Sequence, residues 1–190
     1  MAEKKKLAVF FPGTGYHTDK PLFYYGRKIA ITQGFETLCI EYGDLPKQEE
    51  KDGEPVWEEV VKTAVEKAKL QLEETDFSAF DRVLFVSKSI GTVVAAAIDR
   101  EWNLCADHVY YTPVSQSFQV MGDKGIVFHG TSDPLANTEA VIEECKKRNL
   151  PLHLTENGNH SLETGNPIKD IDILRRIMEV TEEYLEFKRP

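Results

Sequence analysis

A serine stands where a buried apolar segment gives way to a helical pattern. The stretch SKSIGT covers residues 87–92, follows the apolar run 83–86 and precedes VVAAAIDREW. Ser89 is therefore expected on a strand-to-helix turn, with Gly91 two places later. A hydroxyl presented on such a turn can act as a nucleophile when a base takes its proton. The alternative role for Ser89 is a helix cap, a position that serine also favours.

Two further residues with suitable chemistry follow later apolar runs. Asp133 lies in HGTSDP after the run 125–130, and His160 lies in NGNHSLE after the run 150–155. Histidine titrates near neutral pH and can act as a base, and a carboxylate can hold its tautomer and stabilise the imidazolium. The chain order is serine, aspartate, histidine. Taken alone, an aspartate before a proline also fits an ordinary turn.

The elements that must position these residues are visible as short apolar runs that alternate with helical patterns. The runs lie at 7–11, 37–42, 82–87, 108–112, 125–130 and 150–155. They are continuous rather than alternating, which is typical of parallel strands buried on both faces. Residues 56–74 have the apolar spacing of an amphipathic helix, and a last helix is expected to begin with Asn166 as cap and Pro167 in the first turn.

This alternation predicts an α/β fold, a three-layer αβα sandwich with a mainly parallel sheet of about six strands in a single domain, residues 1–190. The charged, turn-rich segment 43–55 is predicted to be a solvated loop. Ligands of such sheets bind at the carboxyl ends of the strands. We therefore expect Ser89, Asp133 and His160 to meet at one edge.

The charge balance narrows the classes of partner. The chain has 190 residues with 23 basic and 32 acidic side chains, a net charge of -9. Nucleic acid and acidic membrane surfaces are polyanions and are poor partners for such a chain. No segment has the length of a membrane span. The oligomeric state is left open.

The cysteines and the N-terminus bear on the compartment. Cys39, Cys105 and Cys145 are odd in number and widely spaced, which fits a reducing compartment and neither a disulfide framework nor a zinc site. The first apolar run, 7–11, is shorter than the apolar region of an export signal. The expected location is the cytoplasm.

The order and contexts of the three residues resemble the α/β-hydrolase family, whose nucleophile elbow reads G-x-S-x-G. The likeness extends from LAVFFPGTG to the final helix, and the elbow departs from the pattern at Ser87, which replaces the first glycine. The resemblance implies a minimal, lidless fold and a serine acyl hydrolase, an esterase or thioesterase acting on a small substrate. Ser89 would be the nucleophile, His160 the base and Asp133 the acid.

The same resemblance implies an oxyanion hole made of backbone N–H groups. One donor would be Ile90, directly after the nucleophile, and the other Thr14 or one of its glycine neighbours in PGTGYH. Five side chains are candidates for the substrate pocket: Tyr16, His17, Tyr42, Phe118 and Met121. Most of these fit an ordinary core equally well. No metal-ligand spacing is evident, and this mechanism needs no cofactor.

Two other functions stay open. A non-catalytic binding protein could keep the fold and the pocket with a misaligned triad, which the substitution at Ser87 permits. A dinucleotide-binding turn is suggested by Gly13-x-Gly15 with Glu41 at the end of the next run, but Thr18 stands where the third glycine belongs.

The remaining polar side chains near these turns are given structural roles. Lys88 is predicted to be a solvated charge, because adjacent residues at a strand end point to opposite sides. His129 is expected to be structural, and His108 and His153 to lie away from the active edge.

Overall fold

A six-stranded sheet runs through the computed structural model, which describes residues 5–47, 49–51 and 54–186. The strands are β1 (Lys6–Phe11), β2 (Phe35–Cys39), β3 (Glu49–Lys51), β4 (Glu54–Val56), β5 (Arg82–Lys88), β6 (Asp107–Tyr111), β7 (Ile126–Gly130) and β8 (Leu152–Thr155). The large sheet has the order β2-β1-β5-β6-β7-β8, and every neighbouring pair in it is parallel.

Helices cover both faces of this sheet. They are α1 (Pro21–Thr32), α2 (Glu58–Leu72), α3 (Ile90–Trp102), α4 (Thr138–Lys147) and α5 (Pro167–Glu186). Side chains of α1 and α5 pack in one apolar cluster, and those of α2 and α3 pack in another on the opposite face. The predicted three-layer αβα sandwich is thereby confirmed. Within the described residues, no helix has the length and apolar character needed to cross a bilayer.

Strand β1 shows why the apolar runs are continuous. Ala8 and Phe10 belong to the cluster under α1 and α5, whereas Leu7, Val9 and Phe11 belong to the cluster under α2 and α3. Successive side chains of a strand point to opposite faces, so a strand covered on both sides must be apolar at every position. Burying each large side chain of this kind stabilises the fold by about 1.5–3 kcal/mol.

The start of α5 follows its predicted capping chemistry. The Asn166 side chain accepts hydrogen bonds from the amides of Ile168 at 3.2 Å and Lys169 at 3.1 Å, and Pro167 is the first helical residue. Both features satisfy N–H groups, or remove one, that a helix start leaves without an acceptor. This cap fixes the point at which the loop carrying His160 ends.

Strand β2 and the segment 43–55 differ from the sequence predictions. Strand β2 begins at Phe35, not residue 37, because Gly34, at φ 80°, ends the turn after α1 and pairing with β1 starts at once. The segment 43–55, predicted as a loop, contains the antiparallel pair β3–β4. Its charged sequence lacks the apolar alternation by which hairpins are recognised. Residues 48, 52 and 53 of this segment lie outside the described residues.

Candidate active site

Ser89 occupies a strained turn between β5 and α3. Its backbone has φ 56° and ψ -128°, a conformation that L-residues rarely adopt. The side chain makes no capping hydrogen bond to α3, so the helix-cap role is wrong. The amide of Ser89 instead donates to the carbonyl of Tyr111 at 3.1 Å. A strained serine with an uncommitted hydroxyl at this turn is what a nucleophile elbow requires.

Gly91 permits this turn to pack against the end of β1. A Cβ at position 91 would lie 2.2 Å from the carbonyl oxygen of Phe11 and 2.5 Å from that of Pro12. Only glycine fits there. Ser87, the departure from the family pattern, is fully buried and donates to the carbonyl of Val109 on β6 at 3.3 Å. A hydroxyl therefore finds a partner at that position without crowding the turn.

Asp133 and His160 form a close pair. Nδ1 of His160 donates to Oδ2 of Asp133 at 2.8 Å, with the carboxylate side chain 0% and the imidazole 20% exposed. Burial by itself raises the pKa of Asp133, but the hydrogen bonds from His160 and from the Leu135 amide outweigh it and hold the pKa below its usual value. The carboxylate is thus ionised and orients the ring.

The two loops that carry this pair are in direct contact. A Cβ at Gly130 would lie 2.2 Å from the Gly158 carbonyl oxygen and 2.6 Å from that of Asn159. In addition, the amide of Ser132 donates to the Gly158 carbonyl at 2.9 Å. Because Gly130 has no side chain, the loop after β8 can lie on the end of β7. This contact brings the His160 imidazole to the Asp133 carboxylate.

The second ring nitrogen of His160 is uncommitted. Nε2 is buried and has no hydrogen-bond partner in the described part of the chain, so the Ser89 hydroxyl does not bond to it in this structure. Buried nitrogens of this kind are normally satisfied. Catalytic hydrogen bonds are often long without substrate and tighten in the complex. The arrangement provides an oriented base at the edge of the sheet where Ser89 lies.

The loop after β1 passes beside Ser89. A Cβ at Gly13 would lie 3.0 Å from Ser89 Cβ and 3.6 Å from its Oγ. The Gly13 amide is used within the loop, donating to the Tyr16 carbonyl at 3.3 Å, whereas Thr14 is exposed. Ile90 is the first residue of α3, and amides at a helix start lack intrahelical acceptors. Thr14 and Ile90 remain the candidate oxyanion donors.

The prediction that Lys88 is solvated is wrong. Its side chain is 1% exposed, and Nζ donates to the His160 carbonyl at 2.8 Å and to Thr112 Oγ1 at 3.1 Å. Nζ also lies 4.8 Å from the centre of the Tyr16 ring. Lys88 is thus part of the site.

Burial and neighbouring charges determine the titration of Lys88. Burial lowers its pKa to about 7; the charges of Asp133 and Glu163 raise it in part, and that of Lys20 lowers it further. A signal for this burial is present in the sequence. Two-residue alternation places Lys88 on the same face of β5 as Val86, which is in the core.

The pocket candidates do not form one wall. Tyr16 is buried, its hydroxyl accepts from the Leu22 amide at 3.1 Å, and burial raises its pKa to about 12. It lines a cavity of about 150 Å³ together with Leu162 and Ile171. His17, in the same loop, is exposed. This cavity adjoins the loop of His160, since Ser161, Leu162 and Glu163 are among the residues that line it.

The other three candidates lie elsewhere. Tyr42 packs in the cluster under α2 and α3. Phe118 and Met121 pack with side chains of α3 and α4, and they border a depression shared with His108 and Lys124. His108 lies near the start of β6 and Lys124 lies just before β7, whereas the candidate site lies at the opposite ends of the strands. The short 3₁₀ turn at Ser115–Gln119 directs this segment away, and we leave these three residues out of the site.

The other histidines have structural partners. His129 is fully buried, with Nε2 3.1 Å from Thr138 Oγ1 and Nδ1 3.9 Å from Asp133 Oδ2. Burial lowers its pKa, so the ring is neutral near pH 7. His108 bonds to Asp99 at 3.0 Å near the start of β6.

The loop after β1 does not have the form of a dinucleotide-binding turn. Helix α1 begins only at Pro21, well after Gly13 and Gly15, whereas a dinucleotide-binding turn leads directly into its helix. Among the residues described, no group of three or more His, Cys, Asp or Glu side chains is placed to hold a metal ion.

Comparison with solved structures identifies the fold. The sequence matches no protein-family model and no curated protein. A serine hydrolase homologue from Coxiella burnetii superposes with a TM-score of 0.69 at 14% identity, over 96% of this chain and 86% of that one. A lidless α/β serine hydrolase from Xanthomonas campestris gives 0.62 at 13% identity, over 100% and 86%. Esterase 2 from Thermogutta terrifontis, phosphonylated by cyclosarin, gives 0.60 at 17% identity, over 100% and 86%. The chain has the α/β-hydrolase fold.

Proposed function

We propose that the protein is a serine acyl hydrolase acting on carboxylic esters of small molecules. One observation carries this proposal. A strained serine and an Asp133-oriented histidine, whose buried Nε2 has no hydrogen-bond partner among the described residues, lie at the same edge of the sheet. The similar structures include a lidless serine hydrolase and an esterase, which supports the assignment. The expected location remains the cytoplasm.

The first half of the reaction forms an acyl-enzyme. Nε2 of His160 takes the proton from Ser89 Oγ as that oxygen attacks the ester carbonyl. The amides of Thr14 and Ile90 donate to the oxyanion, where loss of one donor typically costs about 10²–10³ in rate. The intermediate then collapses, the carbon–oxygen bond to the alcohol breaks, and the imidazolium returns the proton to the leaving alkoxide.

The second half releases the acid. Water gives a proton to His160 Nε2 and attacks the acyl carbonyl, and the tetrahedral intermediate collapses to expel Ser89 Oγ, which recovers the proton. Asp133 accepts the Nδ1 hydrogen bond throughout and stabilises the imidazolium in both halves. Its low pKa keeps it ionised for this role. A thioester would follow the same steps with a thiolate as the leaving group.

Labelling with a fluorophosphonate tests the proposal directly. The serine oxygen displaces fluoride from phosphorus only when a base activates it. Intact-mass measurement should show one adduct on the wild type and none on Ser89→Ala. Ser87→Ala, which removes a hydroxyl two residues away, serves as the matched control and should label like the wild type. A panel of p-nitrophenyl esters and acyl-CoA thioesters would then separate esterase from thioesterase activity.

The missing hydrogen bond between Ser89 and His160 favours a second candidate, a binding protein that keeps the fold without turnover. It predicts no adduct on the wild type and no hydrolysis of any panel member. Either a wild-type protein that stays unlabelled, or equal labelling of Ser89→Ala, would reject the acyl hydrolase.

A further inference from the structure

Lys88 is a buried amine that the proposed reaction does not use. The described residues include no carboxylate that forms an ion pair with it. Its two hydrogen bonds go to neutral oxygens, the His160 carbonyl and Thr112 Oγ1. Burying an amine without an opposite charge is costly. If Lys88 contributed only to stability, an apolar side chain at this position would stabilise the fold more.

Thr112 completes the arrangement. Its Oγ1 accepts from Lys88 and donates to the same His160 carbonyl at 3.1 Å. The Thr112 backbone has φ 44°, a conformation that is unusual for any L-residue and more so for a β-branched one. Strain of this kind persists only where the surroundings fix it, and it is concentrated at functional sites. Two donors thus hold one carbonyl oxygen, that of the candidate base.

The surroundings keep this contact dry. The Tyr16 ring lies 4.8 Å from Nζ on the side of the loop after β1, and Tyr16 itself is buried. A pKa of about 7 agrees with an amine removed from water, and both its neutral and charged forms can donate. Hydrogen bonds in such an environment are stronger than those exposed to solvent.

We propose that Lys88 is a positioning residue, which together with Thr112 holds the carbonyl of His160 and thereby fixes the imidazole relative to the Ser89 hydroxyl. This inference rests on the proposed function. Lys88 and Ser89 are consecutive, so the residue before the nucleophile anchors the loop that carries the base. The contacts of His160 are then divided, with the ring oriented by Asp133 and the backbone held from β5 and the end of β6.

The test compares four variants by the rate of fluorophosphonate labelling and by hydrogen exchange of the amides in residues 156–163. Lys88→Met keeps an unbranched side chain as far as the ε position and removes the donor Nζ. Thr112→Val removes the hydroxyl and keeps the shape of the side chain, whereas Thr112→Ser keeps the hydroxyl. Lys124→Met is the matched control, because Lys124 donates to the Cys105 carbonyl at 3.3 Å near the other ends of the strands.

We expect Lys88→Met and Thr112→Val to label about 10–100-fold more slowly, since small misplacements of a catalytic group have effects of this size. Exchange in residues 156–163 should rise in both. Thr112→Ser and Lys124→Met should stay within about threefold of the wild type. If Lys88→Met does not fold, Thr112→Val and Thr112→Ser decide the matter alone.

Folded Lys88→Met and Thr112→Val that label at the wild-type rate would overturn the inference, whatever their melting temperatures. Failure of the proposed function would look different, because the wild type itself would not label. The exchange measurement then decides. Increased exchange in Lys88→Met but not in Lys124→Met supports the anchoring of His160, and unchanged exchange rejects it.

Discussion

Strand β5 begins with Arg82 and ends with Lys88, and the two cations are held in different ways. Arg82 pairs with Asp107 at 2.9 Å and donates to the Leu185 carbonyl near the end of α5 at 2.5 Å. Among the described residues, Lys88 donates hydrogen bonds to a carbonyl and a hydroxyl, and it is more deeply buried. The first arrangement balances charge and joins a helix end to the sheet. The arrangement at Lys88 gives the amine neutral hydrogen-bond partners at the edge where the candidate triad lies.

The two ends of β5 therefore differ in how their polar groups are satisfied: the Arg82 end has a paired charge and a contact with α5. At the Lys88 end, Ser89 and Thr112 have strained backbones, and Nε2 of His160 has no partner among the described residues. We therefore expect substitutions at the Lys88 end to slow the labelling of Ser89, and substitutions at the Arg82 end to leave it unchanged.

The largest effect is expected for Asp133→Asn. The side chain keeps its size, but an amide can stabilise the wrong tautomer of His160 and cannot support the imidazolium. The labelling rate and kcat/KM should fall by about 10⁴. An activity loss below tenfold would show that the pair seen at 2.8 Å is not catalytic.

A large pH-dependent effect is expected for Lys88→Met. Burial lowers the pKa of Lys88 from 10.5 to about 7 in the folded chain. Between these values the unfolded chain binds a proton that the folded chain has lost, so this lysine makes stability rise with pH. The difference in unfolding free energy between wild type and variant should change by about 4 kcal/mol between pH 6 and 10.5. Urea unfolding at several pH values measures it, and a constant difference would contradict the burial.

A smaller effect is expected at the other end, for Arg82→Met. This variant leaves Asp107 without its guanidinium and removes the donor to the Leu185 carbonyl. Charged hydrogen bonds of this kind contribute about 1.5–3 kcal/mol, which urea unfolding would reveal. The labelling rate of Ser89 should stay unchanged. Slower labelling of a fully folded Arg82→Met variant would show that the Arg82 end of β5 also affects Ser89.

The smallest effect is expected for Lys69→Met, which removes a half-buried cation whose partner carboxylate is exposed. Lys69 binds Glu101 at 2.6 Å on the surface between α2 and α3. Pairs of this kind contribute about 0–1 kcal/mol and are screened by salt. Unfolding curves at low and high salt should nearly coincide with those of the wild type. A cost comparable to that of Arg82→Met would mean that the exposure of the partner carboxylate, which is high for Glu101 and low for Asp107, does not distinguish the two pairs.

The sequence predicted the layers and the sheet because strands buried on both faces leave continuous apolar runs, as in β1. It also predicted that Ser89, Asp133 and His160 follow strands at one edge, since parallel strands end together. The pair β3–β4 was missed, because its strands carry no apolar alternation.

The burial of Lys88 was missed for a different reason. Local sequence shows the face of β5 on which a residue lies, but not which distant loops cover the end of the strand. Tyr16 and His160 close over Lys88 from loops after β1 and β8. The placement of Phe118 and Met121 likewise depends on the direction taken by a short 3₁₀ turn, which composition does not encode.

The bare backbone at Gly130 limits how this site could be redesigned. The Gly158 and Asn159 carbonyls occupy the space that a side chain at position 130 would need. The loops that carry Asp133 and His160 therefore cannot be lengthened or separated independently. Changes of substrate preference would have to be introduced from the far side of the imidazole, along the segments 14–20 and 161–171. Those segments border the small cavity beside Tyr16 and leave the contact at Gly130 untouched.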